Sequence, residues 1–319
     1  MISYEYHHVP ISELQTDTYP FSYPPSPSPS LLDTLEKVGI LSPLLIIQDE
    51  QGLHLLDGQK RLRAWRKLEK EEVPVAICPL NSPHEILQLW IHSQQATRKI
   101  NPFEIALLVE KGPHCLSLST DELLHFIQRE LRPSVPHPTI SSLPSILRLP
   151  ERLKQEALHR SYSPSFLLKI ASTFPKELLT SAASLLESFS LSENHMELLL
   201  SWIDEISRRD HRSPDEVLSS DPLPFLLRHP KMPSAKKRDA FLKTLYHMRF
   251  PQKSQLEKTY QEIKKKIEGV GSVRLHPPKD FMGDRFELRM TFRDSKELEK
   301  TLKRLQSFTN DFKPLFHLL

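Results

Sequence analysis

The run Asp57-Gly58-Gln59-Lys60-Arg61-Leu62-Arg63 carries the residue types best suited to binding an anion. It follows the apolar pair Leu55-Leu56 and precedes apolar residues at helical spacing, which predicts a strand, a glycine turn and the start of a helix. A helix N-terminus presents unpaired N–H groups and a partial positive charge, and a preceding glycine lets a phosphate approach. With Lys60, Arg61 and Arg63 added, the run predicts a phosphate-binding turn.

The alternative for this run is a solvated basic surface. Cations at a helix N-terminus are mildly unfavourable for the helix dipole. An anion bound among the three cations would offset this unfavourable interaction, so their presence favours an anion site.

A second group of cations lies towards the C-terminus. Residues 1–100, 101–223 and 224–319 carry formal charges of −3, −5 and +11, although the whole chain carries +3. Clustered cations raise nonspecific affinity for nucleic acid, but lysines at a helix end are also favourable simply because of the dipole. The candidates for nucleic-acid binding are Lys236, Lys237, Arg238, Lys264, Lys265, Lys266, Arg285 and Arg289. The two strand arginines could equally pair with Glu287 and Asp284.

Other reactive residues lack the spacing that a site requires. His7-His8 has no further ligand at metal-binding spacing, so we expect no metal site. Cys78 and Cys115 are too few for a disulfide framework or a structural zinc site. The sequence holds no P-loop and no nucleophile elbow. No stretch approaches about 18 consecutive apolar residues, so we expect a cytoplasmic protein without a membrane span.

Short strands and helices are expected to position the glycine turn. The chain has 7 glycines and 28 prolines, which favours proline-stopped helices over hairpin-rich folds. Prolines make residues 19–30 a surface loop or linker. The pattern then predicts a helix over 31–38 that ends at Gly39, strands over 43–47 and 53–56, a helix over 59–70, a strand over 73–77 and a helix over 85–95.

The rest of the chain is predicted to be mostly helical. Asn101-Pro102-Phe103-Glu104 is a strong helix start, and Ser119-Thr120-Asp121-Glu122 opens another helix. Helical segments follow at about 139–149, 151–159, 164–172, 175–189, 192–209, 235–248, 253–268 and 295–308. Strands are predicted at 273–275 and 285–292 around a turn at 282–284. In the second strand Phe286, Leu288, Met290 and Phe292 alternate with polar residues.

These elements predict an α+β protein with three domains. An N-terminal α/β domain occupies residues 1–100, a helical domain 101–212 and a basic α+β domain 235–319. We expect the proline-rich residues 213–234 to form an irregular linker.

Three segments resemble the boxes of the ParB family. Gly39-Ile40-Leu41-Ser42-Pro43 is similar to its "G-[ILV]-x-x-P" segment, and the run from Gly58 to Ala64 is similar to its "G-E-R-R-x-R-A" box. Residues 97–104 resemble its "R-x-L-N-P-x-E" box. The boxes occur in the family's order within residues 8–110, and residues 140–172 resemble the helical part that follows in ParB proteins.

This resemblance implies a nucleotide site for CTP, with Mg²⁺ as a further expectation. Gly39 and Pro43 would shape the base pocket. Gly58, Gln59, Lys60, Arg61 and Arg63 would face the phosphates, and Arg98 would be the cation of the third box. The family's usual acids are replaced by Gln59 and by Ser93-Gln94. Since a carboxylate would hold Mg²⁺ or activate water, we expect binding without efficient hydrolysis.

The resemblance also implies DNA as a partner. A helix-turn-helix would fall within residues 119–149, but its turn, residues 132–138, is proline-rich and the helical segment is net acidic. We therefore expect this segment to be a packing domain, with nonspecific DNA contacts made by the C-terminal cations. A ParA-type ATPase partner, a homodimer and a place at the nucleoid complete these expectations.

The sequence leaves two other classes of function open. ParB-like folds also serve as nucleases and as a small-molecule kinase, and Asp57 would then be the catalytic or metal-binding carboxylate. A degenerate scaffold that keeps only its dimer or partner surfaces is the third.

Overall fold

The molecule combines α-helices and β-strands, as predicted. The structure is a computed structural model, and it describes residues 4–24, 26–80, 82–131, 137–268, 273–278, 281 and 285–313. Its contacts divide the chain into two units. The N-terminal unit comprises Met1–Leu186 and Ser192–Glu197, and the C-terminal unit comprises Glu187–Leu191 and Leu198–Leu319.

A five-stranded sheet organises the N-terminal unit. Its strands are β1 (Glu5–Pro10), β2 (Leu14–Gln15), β3 (Leu44–Asp49), β4 (Gly52–Asp57) and β5 (Glu72–Cys78). They lie in the order β1-β5-β3-β4-β2. The β3–β4 hairpin is antiparallel, β5 runs parallel to β3, and β1 is antiparallel to β5. The hairpin and β5 were predicted, whereas β1 and β2 were not.

One face of this sheet forms a hydrophobic core. Alternate residues of the strands point to the same side, so the apolar members of each strand meet there. Leu62 and the half-buried Trp65 pack against it from the helix that follows β4. The buried strand residues of this core include Val9, Leu44, Ile46, Leu55, Val73, Val75 and Ile77.

Helices connect strands of the sheet and continue along the chain after β5. They are α1 (Pro29–Val38), α2 (Gln59–Lys67), α3 (Pro83–Gln95), α4 (Pro102–Leu116), α5 (Thr120–Leu131), α6 (His137–Ser142), α7 (Glu151–Arg160), α8 (Pro164–Thr173), α9 (Lys176–Ser184) and α10 (Glu193–Asp210). Several begin with a proline in the first turn, where the missing N–H costs nothing. Asn101 and Glu104 form a capping box at the start of α4.

The expected surface loop at residues 19–30 is irregular before α1, but its first part is not on the surface. Tyr19, Phe21 and Tyr23 are all buried. Phe21 lies edge-on to Trp90 at 5.5 Å between ring centroids, and Tyr23 lies 5.0 Å from Phe103. Aromatic rings at every second position therefore anchor the loop, and the expectation of a surface loop is wrong for these residues.

The segment expected to correspond to a helix-turn-helix is described only in part. Helix α5 ends at Leu131, and residues 132–136 of the predicted turn lie outside the described residues. Helix α6 is six residues long and is followed by a 3-10 helix, Leu143–Arg148.

The expected irregular linker at 213–234 contains two short helices, α11 (Pro214–Leu218) and α12 (Leu223–Arg228). Ser213 and Glu216 form a capping box around Pro214, so this proline starts a helix rather than preventing one. The expectation of an irregular stretch is therefore wrong. The division of the chain into three domains stays a prediction.

The C-terminal unit continues with α13 (Ser234–Arg249), α14 (Pro251–Glu268), β6 (Val273–His276), β7 (Glu287–Met290) and α15 (Ser295–Ser307). Strands β6 and β7 pair antiparallel, with Val273 opposite Met290. The predicted turn at 282–284 lies outside the described residues. Phe286 and Met290 pack on the α14 core, whereas Leu288 and Phe292 are exposed, so only part of the predicted apolar face is covered. Within the described ranges, none of the helices has both the length and the apolar character that crossing a bilayer requires.

Candidate functional site

A cleft of about 750 Å³ lies where the β4–α2 turn meets the C-terminal end of α3. The structure brings six of the predicted site residues to this cleft, namely Pro43, Gly58, Gln59, Lys60, Arg61 and Arg98. Two others are not part of its lining. Gly39 caps the end of α1 and faces Trp65, while Arg63 is exposed on α2.

Gly58 sets the geometry of the turn at the cleft. Its φ is +110°, and a Cβ placed on it would lie 2.5 Å from Leu44 Cδ2. Both the backbone angle and the close approach require glycine. Since Gly58 has no side chain with which to cap α2, the first N–H groups of this helix are not capped from within the turn. The turn therefore has the predicted form of a strand, a glycine and a helix start, and its part in binding an anion stays a prediction.

Arg61 joins the two turns that border the cleft. Its guanidinium donates hydrogen bonds to the carbonyl oxygens of Ser42 and Pro43, the latter at 3.0 Å. It also pairs with Asp57 Oδ2 at 3.2 Å. Asp57 Oδ1 accepts a hydrogen bond from Gln94 Nε2 at 2.7 Å. Arg61 thus lines the cleft, but both of its terminal nitrogens already donate hydrogen bonds to protein oxygens.

Lys60 and Arg98 form the cationic part of the cleft. Burial and the neighbouring Arg98 charge lower the pKa of Lys60, against the opposing effect of Glu104 and Asp57. Burial also opposes the charge of Arg98, but the hydrogen bonds and charge of Glu104 raise the pKa of Arg98 above its ordinary value. The Lys60 ammonium donates a long hydrogen bond of 3.5 Å to Tyr23 O. Two cations therefore lie close together in a half-buried position.

Glu104 is the fully buried acid that balances Arg98. Its two oxygens accept bonds of 2.6 Å from the two terminal nitrogens of Arg98, a bidentate geometry. The same carboxylate accepts hydrogen bonds from the backbone N–H groups of Tyr23 and Asn101, each at 3.1 Å. Glu104 therefore connects the end of α3, the start of α4 and the loop that carries Tyr19, Phe21 and Tyr23, which we call the aromatic loop.

The side-chain amide of Gln59 hydrogen-bonds to the aromatic loop. Nε2 donates to Tyr19 O at 3.0 Å, and Oε1 accepts from Ser22 Oγ at 2.8 Å. The side chain is buried and its polar atoms already have protein partners. Its assignment to the phosphates stays a prediction, and the contacts give it a structural part in holding the loop.

The acids near the cleft do not form a metal site. Among the cleft-lining residues Asp57 is the carboxylate, and both of its oxygens are engaged by Arg61 and Gln94. In the described part of the chain, no three His, Cys, Asp or Glu side chains lie together as metal ligands would. A protein-held Mg²⁺ does not fit this arrangement.

Most of the predicted nucleic-acid-binding cations have partners in the C-terminal unit. Lys237 donates to Leu227 O at 3.0 Å, and Arg238 pairs with Asp239 at 2.8 Å. The other ion pairs are Lys264–Glu268, Lys266–Asp311 and Arg289–Glu287. Arg289 therefore makes the acidic contact that the sequence offered as an alternative. Lys236 and Lys265 are exposed.

Sequence reasoning missed three residues that shape this region: Tyr6, Tyr23 and Glu104. Glu104 was recognised as part of a helix start and of the third box, but its position six residues after Arg98 gave no sign of a bidentate contact. Tyr23 was assigned to a surface loop. The spacing of Tyr4 and Tyr6, two residues apart, was the available signal for a strand with an aromatic face.

The sequence comparison concerns the part of the chain that builds most of the cleft. Residues 3–92 match the family model described as the ParB N-terminal domain. A search of curated proteins finds no match.

Solved structures of ParB proteins also resemble the chain. ParB from Caulobacter crescentus complexed with CTP-gamma-S is 17% identical, over 55% of this chain and 97% of that chain, with a TM-score of 0.26. The same protein complexed to the centromeric parS site is 18% identical, over 61% and 98%, with a TM-score of 0.29. A Pnob8-like ParB-N domain is 12% identical, over 78% and 98%, with a TM-score of 0.33.

TM-scores of this size carry no argument. The likeness to ParB proteins therefore depends on the family model, whose match contains the first two of the three boxes. What the comparisons show is therefore that residues 3–92 of this chain are similar to the ParB N-terminal domain.

Proposed function

We propose that the N-terminal unit binds a nucleotide in the cleft, with the phosphates between Lys60, Arg98 and the uncapped start of α2. CTP is the first candidate, because the ParB resemblance implies it. The observation that carries the proposal is the pair of half-buried cations at the cleft.

The charges of the cleft support an anionic ligand. Its charged lining residues are Lys60, Arg61, Arg98 and Asp57, three cations against one carboxylate. Asp57 is already paired with Arg61, and Glu104 with Arg98. Lys60 has a carbonyl contact instead of an acid, and its charge is opposed by burial and by Arg98. A phosphate would relieve both effects, since nearby negative charge favours the charged form of an amine.

The volume of the cleft also suits a nucleotide. About 750 Å³ is within the usual range of roughly 300–1,000 Å³ for small-molecule sites. The Ser42 hydroxyl borders it and can donate a hydrogen bond to a phosphate oxygen. The hydroxyls of Ser22, Ser93 and Thr97 also border it, but they donate to Gln59 Oε1, Trp90 O and Gln94 O.

Calorimetric titration of the full chain with the four ribonucleoside triphosphates tests the proposal. We expect Lys60→Ala to weaken binding roughly 10- to 150-fold, which corresponds to a lost charge-assisted hydrogen bond. Lys67→Ala is the matched control, because Lys67 is an exposed lysine of the same helix that does not line the cleft. The proposal fails if no nucleotide binds with or without Mg²⁺, or if the two variants behave alike.

We propose further that bound nucleotide is hydrolysed slowly or not at all. Gln59 is buried in contacts with the loop, and Gln94 bridges Asp57 and Arg98. Asp57 is held by two donors, so it is poorly placed to activate water or to act as the catalytic carboxylate of a nuclease or kinase. Phosphate release at the background rate by protein saturated with nucleotide would agree with this, and rapid release abolished by Asp57→Asn would contradict it.

Nonspecific DNA binding by the C-terminal unit is the second part of the proposal. The formal charge of +11 over residues 224–319 favours it. A ParA-type partner, a homodimer and association with the nucleoid stay predictions.

A further inference from the structure

The floor of the cleft contains a row of four residues that crosses the sheet. Tyr6 of β1 is opposite Ala76 of β5, Ala76 is opposite Leu45 of β3, and Leu45 is opposite Asp57 of β4. All four line the cleft. Residues in register on neighbouring strands point to the same face, so this row extends from an aromatic ring at the sheet edge to the turn at Gly58.

Tyr6 is unusually open for an aromatic side chain in a sheet. It is 70% exposed, and Tyr4, on the same face two residues earlier, is 40% exposed. Its neighbour in the row is Ala76, whose methyl group leaves room beside the ring. On the opposite face of the same strand, Val9 packs in the hydrophobic core. The core therefore does not require an aromatic residue at position 6.

The distance along the row suits a ligand with two chemically different ends. Neighbouring strands lie about 4.8 Å apart, so three spacings separate the Tyr6 and Asp57 backbones by roughly 14 Å. Cations are at the Gly58 end, and at the Tyr6 end the lining residues are Tyr4, Tyr6 and Ala76. A phosphate alone would fill only the cationic end, whereas a planar ring joined to phosphates through a sugar could reach both.

We infer that Tyr6 is a stacking platform for the base of the nucleotide whose phosphates bind at Lys60 and Arg98. This inference rests on the proposed function and adds the residue that distinguishes a nucleotide from inorganic polyphosphate. Every base has a π face, and an aromatic side chain at an open strand edge can stack on it without hydrogen bonds.

The test compares two probes on the full chain: the tightest-binding of the four ribonucleoside triphosphates, and inorganic triphosphate. Tyr6→Ala is expected to weaken nucleotide binding roughly 5- to 150-fold, the usual effect of losing a base–aromatic stack, and to leave triphosphate binding unchanged. Tyr6→Phe keeps the ring and is expected to retain wild-type affinity for both probes.

Two further variants make the comparison specific. His8→Ala is the matched control, because His8 is on the same face of β1, is exposed and does not line the cleft. It is expected to bind both probes normally. Ala76→Leu fills the space beside the Tyr6 ring, so it is expected to weaken the nucleotide and spare the triphosphate.

The outcomes separate this inference from the proposed function. If the wild type binds neither probe, the proposed function fails and the stacking role fails with it. If the wild type binds both and Tyr6→Ala weakens both equally or neither, the stacking role alone is overturned. If Tyr6→Ala abolished binding of a single-stranded oligonucleotide but left nucleotide binding intact, the inference would also be overturned. The ring would then be assigned to binding single-stranded nucleic acid.

Discussion

Gly58 meets two independent demands at one position. The φ of +110° is unfavourable for any residue with a Cβ, and Leu44 Cδ2 lies only 2.5 Å from where that Cβ would be. Leu44 is itself fully buried in the sheet core. The shape of the candidate phosphate turn is therefore fixed by the interior of the domain as well as by the turn itself.

Gly58→Ala is expected to lower the free energy of unfolding by about 2–4 kcal/mol, the sum of backbone strain and overpacking against Leu44. Urea-induced unfolding measures it. In a Leu44→Ala background the same change should cost about 1–3 kcal/mol, because only the backbone strain is left. Equal costs in the two backgrounds would show that Leu44 does not restrict the turn.

At the scale of the elements, Glu104 joins parts of the chain that are far apart in sequence. It accepts from Arg98 after α3, from Asn101 at the start of α4 and from Tyr23 in the aromatic loop. The Tyr23 hydroxyl in turn donates to Glu151 Oε1 of α7 at 2.6 Å, and burial together with this bond raises the pKa of Tyr23. A buried carboxylate with several donors stabilises the structure only while all of its partners remain in place.

Glu104→Gln is expected to destabilise the N-terminal unit by about 1–3 kcal/mol, since the new amide N–H₂ would face the donors of Arg98. The lower part of this range reflects the partial exposure of the Arg98 side chain, which is 36% exposed. Thermal or urea unfolding provides the measurement. Glu110→Gln, at an exposed position of the same helix, should change stability by less than about 0.5 kcal/mol. Equal effects of the two changes would argue against the network.

The elements next to the glycine turn could be predicted because their signals are local. Apolar runs gave β3, β4 and β5, and Asn101-Pro102 with Glu104 gave the start of α4. Pro43, Gly58, Lys60 and Arg98 were chosen from sequence, and the structure places all four at one cleft.

Elements that depend on tertiary contacts could not be predicted in this way. Residues Glu5 to His8 are exposed and polar or aromatic, and they form a strand only because β5 offers its edge. The burial of Phe21 depends on Trp90, nearly seventy residues later. The partners of Arg61 and Arg98 also could not be deduced, because no sequence pattern shows whether a cation will hydrogen-bond to the protein or face a ligand.

At the scale of the whole molecule, charge is separated along the chain. Many C-terminal cations are in exposed ion pairs, such as Lys266 with Asp311 and Arg289 with Glu287. Exposed pairs of this kind contribute little to stability, so phosphates can compete for them. The excess of +11 over residues 224–319 therefore remains available for a polyanion.

The full chain is expected to bind duplex DNA without sequence preference, with an affinity that falls steeply as salt rises. Replacing Lys264, Lys265 and Lys266 together by alanine should reduce the slope of log K against log salt by up to about 3, roughly one for each lost phosphate contact. Fluorescence anisotropy at several salt concentrations measures the slope.

The matched control removes the same charge from the N-terminal unit. Lys67, Lys70 and Lys111 are exposed there, and replacing all three by alanine should leave the slope nearly unchanged. Equal slopes for the two triple variants would mean that net charge, rather than the C-terminal block, governs the affinity.

The two faces of the edge strand β1 fix the number of residues that can separate its core residue from its cleft residue. Val9 is fixed in the interior and Tyr6 faces the cleft, three positions apart on opposite sides of a regular strand. Inserting or deleting one residue between them would keep Val9 buried and rotate the tyrosine to the other side of the sheet. A chain that keeps a ring over this cleft must therefore preserve the spacing between these two positions. An aromatic residue somewhere near the N-terminus is not enough.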